Sequence, residues 1–487
     1  MGELDLLFSG IGDIAPQIRE RKISPVELTR AAIAHAERMQ RVLSSFITLT
    51  PELALRQAQE METLLMRGEY LGPLHGIPIG LKDMILTQGV RTTDGGKPLE
   101  NYVPEWDAPV VERCKAAGAV ILGKENMHEM GAGFTSANAW YGHVRNPWDL
   151  DRFAGGSSGG SAANVAAFAT FASLGTDGGG SVRQPSAVCG IVGLKPTQGR
   201  VPSRGGLEGV DPASFHIGPH TRSVRDSAIV LRVIAGHDPL DSSTIPMPVE
   251  DYDAALDRDI KGLVMGIPSN HFFEPLDPQI ADAMTRAIAV LGELGVETRE
   301  VEIKHTELLP AIWNSLIAVS VVQYESALRR DREQFSPEIR QTMFKSQFVL
   351  ASDFIKAQQM RRLFQQEWLR VMQEVDFLVT PTTPVLPWRF GTDKTVMVGD
   401  TEEDVSTTLT GISGWIMGRN TSPANINGVP AITVPCGFSE EGMPIGLQIL
   451  GRPWEDSLVL RVAHQYEQAT DHAGRVPPAV TEATSSS

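Results

Sequence analysis

The chain has few of the residues that stabilise small secreted proteins or bind metals through paired thiols. Only three cysteines occur among 487 residues, Cys114, Cys189 and Cys436, and they form no CxxC pair. This spacing argues against a disulfide framework and against a zinc knuckle. No HExxH motif, clustered Cys and His residues or nucleotide fingerprint occurs, so the sequence predicts no metal and no cofactor.

Long hydrophobic runs and an excess of positive charge are also missing. The longest apolar run, AANVAAFATFASLG, is too short to span a bilayer, and the N-terminal MGELDLLFSG lacks the pattern of a signal peptide. Asp and Glu number 59 against 43 Lys and Arg, and the formal net charge of -16 disfavours nucleic acid or an anionic membrane as partner. We therefore expect a cytoplasmic protein with no nucleic-acid and no membrane partner; the sequence is compatible with a homodimer.

Strands and helices alternate along the whole chain, which predicts one large α/β domain with a mixed sheet core and helices on both faces. Strands are predicted within 75–85, 263–269, 296–303, 376–387, 430–438 and 444–451, and helices from Pro25, within 109–118 and through most of 305–375. In the first strand, Ile77, Ile79 and Leu81 alternate onto one side, and Lys82 lies near the strand's end. Residues 389–410 are predicted to be an acidic loop.

Five segments follow from this pattern. They are an N-terminal helical segment 1–70, a core 71–240, an α/β continuation with a helical cap 241–410, C-terminal strands and a helix completing the core 411–475, and a tail 476–487.

Two glycine-rich stretches, AGGSSGGSAANVAAFA from Ala154 and GTDGGGSVRQP from Gly175, allow three interpretations. A phosphate cradle is disfavoured because neither stretch fits GxxxxGK[ST] or GxGxxG. A GxSxG nucleophile elbow fails because Arg183 occupies the place of the last glycine after Ser181. Close packing of small residues at a helix crossing stays open.

A nucleophilic serine needs a base, and no histidine lies at a recognisable triad spacing from Ser181. Lys82 is the alternative, because burial lowers the pKa of a lysine and makes a neutral amine available. A lone lysine at a strand end is more often a solvated surface residue. Lys82 therefore becomes a candidate only together with the two glycine-rich stretches.

These three features together resemble the amidase signature family. The resemblance runs from SPVELTRAAIAHAER through GPLHGIPIGLKD to MPIGLQILGRPWEDSLVL, and so covers most of the chain. Ser157 and Ser181 lie 24 residues apart, which fits the family signature, and Ser181 begins an S-x-R-x-P motif. The resemblance implies the amidase signature fold and amide chemistry.

The resemblance also implies roles for individual residues. Ser181 corresponds to the nucleophile, Ser157 to a bridging serine that follows a cis peptide bond, and Lys82 to the base. The other implied sites are an oxyanion hole of backbone N–H groups from Gly178, Gly179, Gly180 and Ser181, support from Ser158, Asp177 and Arg183, and an acyl pocket lined by Met130 and Gly131. For Met130, plain core packing is the alternative.

The predicted function is hydrolysis of a small-molecule carboxylic amide, or also of esters or carbamates, through an acyl-serine. The alternative is the glutaminase component, the A protein, of a tRNA-dependent amidotransferase. Arg361 in KAQQMRRLF resembles a glutamine-binding arginine of such glutaminases, although arginines are common on exposed helix faces. Gly178, commonly threonine in those proteins, points away from them. A non-enzymatic nucleotide-binding protein is a remote alternative, since the phosphate motifs fail.

Overall fold

A computed structural model describes residues 6–206, 215–320, 322–391, 395–398, 401–404 and 416–485. The strands are β1 Phe46–Leu49, β2 Pro78–Lys82, β3 Val120–Glu125, β4 Arg145–Asn146, β5 Asp149–Phe153, β6 Ala172–Asp177, β7 Val192–Lys195, β8 His216–Thr221, β9 Val264–Pro268, β10 Glu297–Val301, β11 Phe377–Pro381, β12 Thr395–Val398, β13 Thr401–Asp404, β14 Ala431–Phe438 and β15 Pro444–Leu450. Within the described residues, eleven of them form one mixed sheet in the order β1-β3-β2-β6-β8-β7-β14-β15-β11-β9-β10.

Helices flank this sheet, which confirms the predicted fold class. They are α1 Ile11–Arg19, α2 Pro25–Leu43, α3 Pro51–Met66, α4 Pro109–Ala116, α5 Gly159–Ala166, α6 Arg183–Cys189, α7 Val224–Ile234, α8 Pro278–Glu293, α9 Leu309–Ser320, α10 Glu325–Arg330, α11 Pro337–Ser346, α12 Ala351–Val371, α13 Ser422–Asn427, α14 Asp456–Gln468 and α15 Pro478–Ser485. No helix in these described ranges is both long and apolar enough to cross a membrane.

Strand β2 positions Lys82 at an edge of the sheet. It lies between β3 and β6 and runs parallel to both. Parallel strands have their carboxyl ends at the same edge of the sheet. That edge therefore carries the last residues of β2, β3 and β6, which are Lys82, Glu125 and Asp177. Lys82 does end its strand, as predicted. All five residues of β2 are buried, because a central parallel strand is covered on both faces.

Strands β1 and β4 to β8 were not predicted, but several other elements lie where the sequence predicts them. Helix α4 is followed by Gly118 at φ 85° and then by β3, and β14 pairs antiparallel with β15. Ser24 caps α2 by accepting from the N–H groups of Val26 and Glu27. Helix α8 begins at Pro278, and helices α9 to α12 lie between β10 and β11, in the segment for which a helical cap is predicted.

The acidic segment 389–410 was predicted as a loop, and this was wrong for two short stretches. Strands β12 and β13 pair antiparallel as a hairpin. The apolar stretch TVMV is too short, and TEED too acidic, for either to be recognised as a strand from the sequence. Residues 392–394, 399–400 and 405–410 of this segment lie outside the described ranges.

Candidate active site

Lys82 is fully buried, and its ammonium group faces two hydroxyls. Nζ lies 2.6 Å from Ser157 Oγ and 2.7 Å from Thr176 Oγ1. Burial lowers the pKa of Lys82 to about 7, although the carboxylates of Asp94 and Asp177 act in the opposite direction. A lysine in this setting has a large neutral fraction near neutral pH, which an exposed lysine lacks.

The first glycine-rich stretch forms the turn that holds Ser157. The Gly156–Ser157 peptide bond is cis, and Gly155 has φ 80°. The N–H of Gly156 donates to Gln184 Oε1 at 2.8 Å, and the carbonyl of Ser157 accepts from the N–H of His128 at 3.0 Å. These contacts lock the backbone on both sides of the hydroxyl that meets Lys82.

Close packing also accounts for Gly159 and Gly160 at the start of helix α5, although they pack against loop residues and not at the predicted helix crossing. A Cβ on Gly160 would overlap backbone atoms of Asn126 and Ser45, and one on Gly159 would overlap the side chain of Ser136. Helix α5, which begins at Gly159, therefore approaches its neighbours through bare α-carbons.

Ser181 follows the second glycine-rich stretch, between β6 and α6. Its exposed fraction is 7%, against 1% for Ser157 and 0% for Ser158. Among the described residues, Ser181 Oγ makes no hydrogen bond, to Ser157 or to any other group. Ser181 is thus the member of the predicted serine set that solvent reaches most easily.

A fully buried ion pair holds the loop that carries Ser181. Arg183 donates from Nε to Asp177 Oδ2 at 3.0 Å and from Nη2 to Asp177 Oδ1 at 2.9 Å. Asn425 Nδ2 donates to the same carboxylate at 2.9 Å, and Gln448 Oε1 accepts from Arg183 Nη1 at 2.7 Å. Burial alone would raise the pKa of Asp177, but Arg183 and Asn425 hold it well below its usual range. Asp177 is therefore ionised, and its charge is balanced.

One of the four predicted oxyanion donors is already engaged. The N–H of Gly180 donates to Asp177 Oδ1 at 2.7 Å, so the expectation that it faces a substrate is not met in this structure. The N–H groups of Gly178, Gly179 and Ser181 make no hydrogen bond within the described part of the chain. Gly180 itself adopts φ 126°, a conformation that L side chains rarely adopt.

The remaining predicted residues lie around this centre. Ser158 Oγ donates to the carbonyl of Thr176 at 3.2 Å. This contact holds Thr176, whose hydroxyl is the second partner of Lys82. A Cβ on Gly131 would lie 3.6 Å from Ser157 Oγ. Met130 packs against the cap, in the cluster that contains Tyr324 and Phe335.

Two buried histidines near the Ser181 loop, His216 and His220, are engaged in other contacts. His216 Nδ1 pairs with the carbonyl of Asp177 at 3.1 Å, and His220 Nδ1 pairs with Ser186 Oγ at 2.8 Å. Burial lowers the pKa of His220 to about 3 and that of His216 well below its usual value. Both rings are therefore neutral and occupied by structural contacts.

Two aromatic side chains, Trp313 and Phe134, form a wall beside the glycine run. A Cβ on Gly179 would overlap the indole ring of Trp313 from the cap, so that ring lies directly against the Gly179 α-carbon. The rings of Trp313 and Phe134 are 6.4 Å apart between centroids, and Gly418 faces the ring of Phe134. The glycine run thus also makes room for an aromatic side chain.

We expect Gly179→Ala to destabilise the protein and to slow turnover, because the new methyl group displaces Trp313. Overpacking of this kind costs about 1–3 kcal/mol of unfolding free energy, measured by denaturant unfolding. Gly292→Ala is the matched control, since a Cβ there meets nothing within 4 Å. In a Trp313→Ala background, Gly179→Ala should cost less unfolding free energy than in the wild type, because the new methyl group then meets no ring. Wild-type stability and turnover in Gly179→Ala alone would contradict the contact.

Arg361 lies in α12 and is buried, so it is not a residue of an exposed helix face. Its Nε donates to the carbonyl of Ile426 at 2.8 Å, which ties the cap to α13. The glutamine-binding role of Arg361 that the resemblance implies stays a prediction.

Sequence reasoning missed several residues of the site. Thr176 stands inside the stretch GTDGGGSVRQP, but nothing in its local pattern indicates a contact with Lys82. Thr421 Oγ1 donates to the carbonyl of Gly179 at 2.7 Å, and Asn425 binds Asp177 from the same segment. No local signal marks these two, because the contacts join segments more than 240 residues apart.

Comparison with known proteins identifies the family. A family model described as Amidase matches residues 27–460. The A component of the glutamyl-tRNA(Gln) amidotransferase of Moorella thermoacetica is 38% identical to the chain, over 97% of this chain and 99% of that protein.

Solved structures give the same result at the level of the fold. One of them is a protein of a vestigial complex, which reveals the evolutionary origins of an s-triazine catabolic enzyme. It matches this chain with a TM-score of 0.88 and 31% identity, over 94% of this chain and 98% of its own length. The A component of the glutamyl-tRNA(Gln) amidotransferase of Thermotoga maritima matches with a TM-score of 0.80 and 31% identity. The match covers 97% of this chain and 98% of that protein.

Proposed function

Because the chain belongs to the amidase signature family, whose enzymes act on carbon–nitrogen bonds, we propose that it hydrolyses a carboxylic amide through an acyl-enzyme on Ser181. Ser157 relays the proton and Lys82 is the base. The observation that carries the proposal is the 2.6 Å contact between the buried Lys82 Nζ and Ser157 Oγ.

The surroundings of Lys82 favour proton transfer from Ser157 to the amine. Thr176 Oγ1 lies 3.1 Å from Met84 Sδ, to which it donates, so its oxygen lone pairs face Lys82. A neutral amine has two N–H groups and one lone pair. It donates to Thr176 and directs its lone pair at the hydroxyl hydrogen of Ser157.

The reaction then runs in two balanced halves. Ser181 Oγ attacks the substrate carbonyl carbon while its proton passes to Ser157 and the proton of Ser157 passes to Lys82. The tetrahedral intermediate collapses when the C–N bond breaks, and the relay returns a proton to the leaving nitrogen. Water then attacks the acyl-serine with the same relay, which releases the acid and restores Ser181.

Backbone N–H groups of the glycine run stabilise the oxyanion in this proposal. Gly178, Gly179 and Ser181 are the candidates, since the N–H of Gly180 serves Asp177. The Asp177–Arg183 pair keeps these donors in place before the substrate binds. Donors fixed in advance stabilise developing charge without reorganisation during the reaction.

Glutamine within an amidotransferase assembly is the substrate that the relatives support. The match to the A component of a glutamyl-tRNA(Gln) amidotransferase extends over nearly the full length of both chains. In this assignment the enzyme releases ammonia from the glutamine side-chain amide, and partner proteins of the assembly use it.

A free-standing amidase for an apolar or aromatic amide is the second candidate. The observation that favours it is the aromatic wall of Trp313 and Phe134 beside Gly179. Such a wall suits apolar ring surface better than the charged α-amino and α-carboxylate groups of glutamine.

Product assays on the purified chain distinguish the two candidates. We expect ammonia release from L-glutamine, faster when the chain is co-purified with its partner proteins, and none from Ser181→Ala, the matched blank. Anilides, aliphatic amides, esters and carbamates form the comparison panel. Turnover of anilides without turnover of glutamine would transfer the assignment to the free-standing amidase. Absence of hydrolysis of every amide tested would overturn the proposed chemistry.

A further inference from the structure

Asp94 is a buried carboxylate beside the site to which the proposed reaction gives no role. Its exposed fraction is 2%. Its N–H donates to the carbonyl of Asp83, the residue after Lys82, at 3.3 Å, and its carbonyl accepts from the N–H of Met130 at 2.9 Å. The backbone therefore holds Asp94 between the end of β2 and the loop whose Gly131 lies next to Ser157 Oγ.

The helical cap supplies the partner of this carboxylate. The hydroxyl of Tyr324 donates to Asp94 Oδ2 at 2.5 Å, and the Tyr324 ring is buried in the cluster with Phe335, Ile339 and Met343. Within the described residues, Asp94 Oδ1 has no hydrogen-bond partner, and neither oxygen is paired with a cation. Asp94 differs in this respect from Asp177, whose charge Arg183 balances.

The charged groups around Asp94 come from four segments. Asp83 is bonded to Thr93 and lies 3.9 Å from Lys124 Nζ. On the 128–132 loop, Glu129 accepts from the N–H of Ser336, and His128 Nε2 lies 3.2 Å from Glu338 of the cap. Lys82 and Tyr324 complete the set. Asp83, Glu129 and His128 thus have partners of their own, whereas the carboxylate of Asp94 interacts electrostatically with Lys82.

We propose that Asp94, held by Tyr324, is a positioning residue that sets the pH at which Lys82 becomes a neutral base. The inference rests on the proposed function, in which Lys82 is the base. An ionised Asp94 stabilises the ammonium form of Lys82, so the amine is freed only at higher pH. Tyr324 strengthens this effect, because its hydrogen bond favours the ionised form of Asp94.

Burial brings the pKa values of Asp94 and Lys82 into the same range. Burial raises the pKa of Asp94 to about 7, and the Tyr324 hydroxyl and Lys82 oppose that rise. Burial lowers the pKa of Lys82 to about 7, and Asp94 is the largest opposing influence. Two interacting groups in the same pH range titrate as a pair, so a change at one moves the other.

The test is the pH dependence of kcat/KM in Asp94→Asn and Tyr324→Phe. Removing the negative charge destabilises the ammonium form, so the midpoint of the acid limb should fall, by on the order of one pH unit in Asp94→Asn. Tyr324→Phe should move it in the same direction by less. The pH dependence of Ser181 labelling by a fluorophosphonate gives a second readout, which needs no substrate.

Matched controls remove the same groups elsewhere. Asp226→Asn removes a buried carboxylate that binds the N–H of Gly12, and Tyr252→Phe removes a buried hydroxyl with no partner among the described residues. Neither should move the midpoint. A lower kcat with an unmoved midpoint in both folded site variants would overturn the inference and leave the proposed function standing. Turnover in Lys82→Ala would instead overturn the proposed function. Should Asp94→Asn fail to fold, Tyr324→Phe decides alone.

Discussion

Replacing Lys82 with alanine is expected to remove nearly all amide hydrolysis while the protein still folds. The proposed relay ends on the Lys82 amine, and loss of a general base lowers turnover by roughly 10²–10⁴-fold. Lys82→Arg should be equally inactive, because a guanidinium stays protonated and has no lone pair to offer. The measurement is kcat/KM for each variant, with circular dichroism as the folding control.

The pH profile of the wild-type enzyme follows from the same residue. Only the neutral amine accepts a proton, and burial lowers the pKa of Lys82 to about 7. Activity should therefore be low in acid, rise through neutral pH and level off in the alkaline range.

Lys195→Met is the matched control for Lys82, because it removes another fully buried lysine. Its Nζ donates to the carbonyl of Pro196 at 2.8 Å, and it bonds to no serine among the residues that the structure describes. We expect this variant to keep its turnover. Wild-type turnover in a folded Lys82→Ala protein would refute the lysine base and return attention to the histidines.

Replacing Ser181 with alanine is expected to have the largest effect of all. Without the nucleophile no acyl-enzyme forms, and turnover should fall on the order of 10⁴-fold or more. A serine-reactive phosphonate should label the wild-type protein at Ser181, since this hydroxyl is more exposed than those of Ser157 and Ser158. Peptide mapping by mass spectrometry identifies the labelled residue.

Ser157→Ala tests the relay separately from the nucleophile. It keeps Ser181 but breaks the contact with Lys82, so labelling of Ser181 should continue at a much lower rate. A phosphonate found on Ser157, or turnover unchanged in Ser181→Ala, would overturn the assignment of the nucleophile.

Local patterns predicted much of the fold. Helix α8 begins at Pro278 and α4 ends before Gly118, because proline and glycine act on the backbone of their own segment. The hairpin β12–β13 was missed, since four-residue strands give too short a pattern to outweigh a charged composition.

The sequence by itself determined the family, through residues whose spacing along the chain carries the information: Lys82 at a strand end, and two serines 24 residues apart in glycine-rich stretches. Only the tertiary structure decided which groups meet at the site. Thr421 and Asn425 reach the Ser181 loop from the start of α13, far along the chain, and Tyr324 reaches Asp94 across 230 residues. Such contacts arise from the order of strands in the sheet and the docking of the cap. A local sequence pattern encodes backbone conformation and burial, whereas the partner of a buried polar group depends on which distant segment packs against it.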